Sequence, residues 1–144
     1  MTRIAIIDED PAFLDMMRDV LSQAGYKVML HSTAKTAFNL IRNRHPALVI
    51  LDMQIGDLED GWLILDLMRL DDQTAAIPVI MCSTDRRLLQ NEASHLSEEG
   101  CCMLVKPFAI ADLLSLIQQT LAPGSRACRE KHPPITRSTL RDQS

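Results

Sequence analysis

Aromatic residues are almost missing from this 144-residue sequence, which has one Trp, one Tyr and three Phe. Aliphatic side chains and the eight methionines must therefore fill any core. No stretch approaches the roughly 18 uninterrupted apolar residues that a membrane span requires, and the N-terminus lacks a basic run followed by an apolar signal core. Both absences predict a cytoplasmic protein. The four cysteines, Cys82, Cys101, Cys102 and Cys128, show neither metal-ligand spacing nor a disulfide framework. That suits a reducing compartment, and the first three read as small buried hydrophobes. Internal repeats and low-complexity segments are also lacking.

Basic charge is scarce where the apolar pattern is strongest. Residues 1–122 carry ten Lys and Arg against seventeen Asp and Glu, a net of −7, whereas residues 123–144 carry five against two, a net of +3. An acidic body argues against a nucleic-acid footprint on the folded part, because phosphate backbones recruit clustered Lys and Arg. The tail, with Pro123-Gly124-Ser125 and His132-Pro133-Pro134, holds too little apolar area to offset a chain entropy of about 1 to 2 kcal/mol per residue. The expected organisation is one folded domain over residues 1–122 and a flexible basic tail or linker stub over 123–144.

What is present is an alternation of short apolar runs with helical patterns. Arg3-Ile4-Ala5-Ile6-Ile7 reads as a buried strand that stops at Asp8. Asp10-Pro11 follows, a helix cap residue with proline at the first helical position. Leu14, Met17 and Leu21 keep helical spacing until Ala24-Gly25, where glycine suits a left-handed cap. Val28-Met29-Leu30 reads as strand, 34–44 as helix, and Leu48-Val49-Ile50-Leu51 as a strand ending in Asp52. A glycine-bearing acidic loop leads to a helix over 61–70, with Asp60 as its expected cap. Val79-Ile80-Met81-Cys82 and Cys102-Met103-Leu104-Val105 are further strands, 86–99 a predicted helix, and 110–121 the last helix. Strands apolar on both faces and interleaved with helices predict a parallel sheet covered on both sides.

In an open parallel sheet, ligands bind beyond the carboxyl ends of the strands. Taken singly, polar residues there are usually just solvated. Here they form a set: Asp8-Glu9 after the first strand, Asp52 after the third, Ser83-Thr84 after the fourth, and Lys106-Pro107 after the fifth. Three converging carboxylates would repel by roughly 4 kcal/mol per pair at 4 Å and an effective dielectric near 20 unless a cation sat among them. Oxygen-only ligation selects a hard ion, and magnesium fits because it accepts one or two carboxylates and leaves positions for phosphate oxygens. A lysine and a hydroxyl would then hold the remaining oxygens of a phosphoryl group.

Ile-Ile-Asp8-Glu9-Asp10-Pro11, Leu-Val-Ile-Leu-Asp52, Ile-Pro-Val-Ile-Met-Cys-Ser83-Thr84 and Leu-Val-Lys106-Pro107-Phe108, in that order, resemble the receiver (CheY-like) family of response regulators in two-component phosphorelay signalling. The resemblance covers residues 3 to about 122. It implies an α/β, flavodoxin-like three-layer fold with five parallel strands in the order 2-1-3-4-5 and five helices. It implies Asp52 as the phosphoacceptor toward a sensor histidine kinase or a histidine phosphotransfer protein. A Mg2+ ion would be held by Asp8, Glu9, Asp52 and the backbone carbonyl of Gln54. Ser83 takes the position of the switch hydroxyl, and Lys106 that of the phosphate-pairing lysine, joined to Pro107 by a cis bond. The implied output is docking of a downstream protein on the fourth helix, fifth strand and fifth helix, with no membrane or nucleic-acid contact through the domain. The only chemistry implied is self-catalysed phosphotransfer and autodephosphorylation.

The chain departs from the family pattern in three places. Glu9 stands where aspartate is usual, adding a methylene to a magnesium ligand. The loop from Asp52 to Gly61 is one residue longer than the usual spacing, lacks its proline, and holds Asp57, Glu59 and Asp60. Met103 replaces the aromatic whose rotation accompanies movement of the switch hydroxyl. Gln54 and Asp85, each two residues past a site residue, are candidates to orient the hydrolytic water. Two alternatives remain. One is a degenerate receiver that binds partners without being phosphorylated. The other is a phosphatase similar to the haloacid dehalogenases, with Asp8 as nucleophile and Asp10 as general acid, for which the chain beyond Lys106 offers Asp112 alone in place of paired acids. The chain either acts alone by docking or belongs to a longer regulator.

Overall fold

The computed structural model describes residues 1–55 and 60–124. Five strands, β1 (Arg3–Ile7), β2 (Lys27–His31), β3 (Leu48–Asp52), β4 (Val79–Ser83) and β5 (Cys101–Val105), form one sheet in the order β2-β1-β3-β4-β5. Among the described residues there are six helices: α1 (Pro11–Gln23), α2 (Ala37–Arg44), α3 (Asp60–Leu70), α4 (Arg86–Asn91), α5 (Ala93–Glu98) and α6 (Ile110–Leu121). The order and the flavodoxin-like class are those expected. The helix count is not: the single helix expected over 86–99 is two, separated at Glu92 (φ −99°, ψ 8°).

The chain divides into two compact units, Met1–Met81 and Cys82–Ser144, the second described as far as Gly124. In the first, β1 pairs in parallel with β2 and with β3, and its last registered partners are His31 and Leu51, both opposite Ile7. Ile4 to Ile7 and Leu48 to Leu51 are wholly buried, whereas β2 at the edge of the sheet is half-buried from Val28 to His31. That is why the two inner strands read as unbroken apolar runs. Each such Ile or Leu contributes about 1.5 to 3 kcal/mol of burial. α1 packs on β2 through the face of Leu14, Met17 and Leu21, and α2 packs on α3.

Local chemistry fixes the helix ends. Asp10 caps α1 by accepting the Ala12 N–H at 3.0 Å, Pro11 opens the first turn, and Gly25 follows at φ 96°. α2 starts at Ala37, three residues later than expected, because 34–36 form a turn bracketed by the hydroxyls of Thr33 and Thr36, 3.1 Å apart. It ends at His45 in the left-handed region (φ 50°). Asp60 is the first residue of α3 rather than the residue before it.

In the second unit, α4 and α5 lie against β5. Cys82 and Cys101 are buried and carry free thiols, as expected of small apolar residues. Cys102 is buried as well. No helix among the described residues is long and apolar enough to cross a membrane.

Candidate functional site

The same small device fixes the polar side chain at three strand ends. Past β1, one oxygen of Asp8 accepts the Asp10 N–H at 2.9 Å. At the end of β3, one oxygen of Asp52 accepts the Gln54 N–H at 3.0 Å. At the end of β4, the Ser83 hydroxyl accepts the Asp85 N–H at 2.9 Å. Each is a side chain bonding the backbone two residues on, a turn that aspartate and serine favour because their oxygen reaches no further.

In the first unit, Asp8 is only 2% exposed and its backbone N–H donates to the His31 carbonyl at 3.0 Å, extending the β1–β2 ladder by one residue. One step beyond the registered pair Ile7 and Leu51, Asp8 and Asp52 stand at neighbouring parallel strand ends, on strands about 4.8 Å apart. Glu9 is exposed. Among the described residues no group of three or more His, Cys, Asp or Glu side chains is gathered as a metal site. Asp8 and Asp52 are the two carboxylates that the β1–β3 register sets at neighbouring strand ends. An oxygen-only pair still fits magnesium, which accepts one or two carboxylates and retains water on its other positions.

The loop after Asp52 is anchored by burial, with Met53 and Ile55 in the core and Gln54 exposed between them. The start of α3 closes on it. Gly61 donates its N–H to the Met53 carbonyl at 3.1 Å, and a Cβ on Gly61 would lie 2.8 Å from Met53 Cα while overlapping the Asp52 carbonyl oxygen. Residues 56–59, with Asp57 and Glu59, lie outside the described residues.

In the second unit, Ser83 is 1% exposed and its carbonyl accepts the Lys106 N–H at 2.8 Å, which ties the ends of β4 and β5. The Lys106–Pro107 bond is cis, as the resemblance implied. Met103 is half-buried on β5. Asp85, expected near the hydrolytic water, has an additional role that sequence reasoning missed: its carboxylate accepts the Leu88 N–H at 3.0 Å and caps α4. An aspartate just before a helical run was the available signal. Asp10 likewise spends its carboxylate on the cap of α1, which does not suit the general acid of a phosphatase.

The model of the response regulator receiver domain matches residues 4–118. The chain belongs to this family. The receiver is 31% identical over 126 residues to the DNA-binding dual master transcriptional regulator RpaA of Synechocystis sp., covering 88% of this chain and 52% of that protein. It is 32% identical over 134 residues to the response regulator MprA of Mycobacterium sp., covering 93% of this chain and 56% of the other. The chain thus spans about half the length of these curated relatives. Among solved structures, a CheY-like response regulator receiver domain protein from Methanospirillum hungatei superposes with a TM-score of 0.76 at 27% identity, over 85% of this chain and 95% of that one. Receivers of two-component systems are signal transducers that interact with histidine kinases and downstream effectors, and membership favours that reading over the phosphatase alternative.

Proposed function

We propose that Asp52 is the phosphoacceptor of this receiver. The observation that carries the reading is the placement of Asp52 at the carboxyl end of β3, held by the Gln54 N–H and next in register to the buried Asp8. A carboxylate oxygen of Asp52 attacks the phosphorus of a phosphohistidine on a sensor kinase or phosphotransfer protein. The P–N bond breaks, its electron pair returns to the imidazole nitrogen, and an acyl phosphate remains on Asp52. Asp8, Asp52 and the Gln54 carbonyl, joined by Glu9, are the groups that would hold Mg2+, which when bound neutralises charge on the incoming phosphoryl group. Lys106 supplies the matching positive charge, and Ser83 reports the new group through its hydroxyl. Output passes to a protein that docks on the face formed by α4, α5, β5 and α6. The receiver extends over residues 1–122, works in the cytoplasm, and does not contact nucleic acid through this domain.

A second reading, a receiver that binds partners without phosphorylation, draws support from the exposure of Glu9 and from Met103 at the position of the aromatic switch. One experiment separates them. The chain is incubated with magnesium and acetyl phosphate and weighed intact, as wild type and as Asp52→Ala. A single phosphate-sized addition lost in the variant supports the acceptor reading, and no addition on the wild type supports the other.

A further inference from the structure

Helix α3 is apolar on the wrong side. Its inner face, Gly61, Ile64, Leu65 and Met68, is buried. The opposite face should then be polar, yet it carries Leu63, Leu67 and Leu70, exposed by 56%, 37% and 82%. Their i, i+4, i+7 spacing puts all three on one stripe. A helix apolar all round is one that something covers, and exposed apolar stripes mark interaction sites.

The charge around the stripe selects the occupant. Asp66 flanks it and is exposed, Asp72 beyond its end is exposed, and Asp60 begins the helix. The single basic residue of α3, Arg69, turns its guanidinium to the Ala75 and Ile77 carbonyls at 3.1 and 2.8 Å, and Arg42 of α2 is paired with Asp71 at 2.9 Å. The stripe is therefore leucine rimmed by carboxylates. A second copy would bring Asp66 against Asp66, a like-charge contact that disfavours self-pairing. Charge complementarity instead favours a partner with an apolar stripe flanked by Lys or Arg.

We propose that the Leu63–Leu67–Leu70 stripe of α3 is a docking site for a basic amphipathic helix of another protein, separate from the α4–α5–β5–α6 face and independent of the state of Asp52. The test uses the full chain, whose one tryptophan, Trp62, sits on α3 and reports occupancy by its fluorescence. The probes are two synthetic helical peptides with leucines at i, i+4, i+7 and i+11, one flanked by lysines and one by glutamates. The lysine peptide binds saturably, about tenfold more weakly to L63Q/L70Q and roughly fivefold more weakly to D66K. The glutamate peptide binds more weakly than either. Circular dichroism confirms that both variants are folded, as solvent-facing changes allow. Equal binding of the two peptides, binding that survives L63Q/L70Q, no binding of either, or leucine-dependent self-association of the chain alone in sedimentation would overturn the proposal. All readouts are unaffected by Asp52→Ala, so failure here is distinct from failure of the phosphoacceptor reading.

Discussion

The Gly61 N–H donates to the Met53 carbonyl at 3.1 Å, so the first turn of α3 rests directly on the backbone that follows Asp52. Alanine at 61 gains up to about 1 kcal/mol in helix propensity. It also places a Cβ 2.9 Å from the Met53 oxygen and 2.8 Å from Met53 Cα, backbone atoms that have no rotamer by which to give way. Overpacking of this kind costs about 1 to 3 kcal/mol, and the clash should win. The expected outcome for Gly61→Ala is a lower urea midpoint at unchanged slope, together with slower labelling at residue 52 by acetyl phosphate.

Asp8 and Asp52, next in register on β1 and β3, bring like charges to neighbouring strand ends. At about 5 Å and an effective dielectric near 20 their repulsion is roughly 3 kcal/mol. In buffer freed of divalent ions, Asp8→Asn, which keeps the oxygen that accepts the Asp10 N–H, should melt higher than wild type. Millimolar magnesium should then raise the wild-type melting temperature more than that of the variant. Equal magnesium shifts for the two proteins would count against metal binding at Asp8.

The α4 cap gives a prediction of stability alone. Asp85→Ala removes the acceptor of the Leu88 N–H and should cost about 0.5 to 2 kcal/mol, whereas Asp85→Asn or Asp85→Ser should cost a few tenths. Chemical denaturation of the three variants measures it. If dephosphorylation speeds or slows in Asp85→Asn while stability holds, the carboxylate also serves the hydrolytic water.

Thr74 is fully buried, and its hydroxyl donates to the Met68 carbonyl at 2.7 Å, closing the last turn of α3. Thr74→Val keeps the shape but leaves that carbonyl short of a donor, at a cost of about 1 to 3 kcal/mol. Thr74→Ser should recover most of it, and thermal melts of both variants check the order.

The inner strands could be read from the sequence because burial on both faces leaves an unbroken apolar run that ends where the chain meets solvent, as at Asp8 and Asp52. The break at Glu92 could not. Leu89, Ala93 and Leu96 keep the spacing of one continuous helix across it, all three are buried, and neither Gly nor Pro marks the interruption. The late start of α2 depends on Thr33 and Thr36 hydroxyls meeting beside His31, a contact that no periodicity encodes. Of the candidate site, the strand-end positions of Asp8, Asp52, Ser83 and Lys106 were legible, and so was the cis bond at Pro107. The burial of Asp8 against the exposure of Glu9, and the demand of the Met53 backbone for a glycine at 61, became visible only with neighbouring elements in place.

At the end of β4 two local bonds run in series, from the Asp85 N–H to the Ser83 hydroxyl and from the Leu88 N–H to the Asp85 carboxylate. Rotating the Ser83 hydroxyl away breaks the first, at a net cost of about 1 kcal/mol. That corresponds to a population ratio of roughly five between the two rotamers, a gap that one new hydrogen bond offered from elsewhere can invert. The start of α4 is thus tied to the end of β4 through a hydrogen bond worth little more than thermal energy.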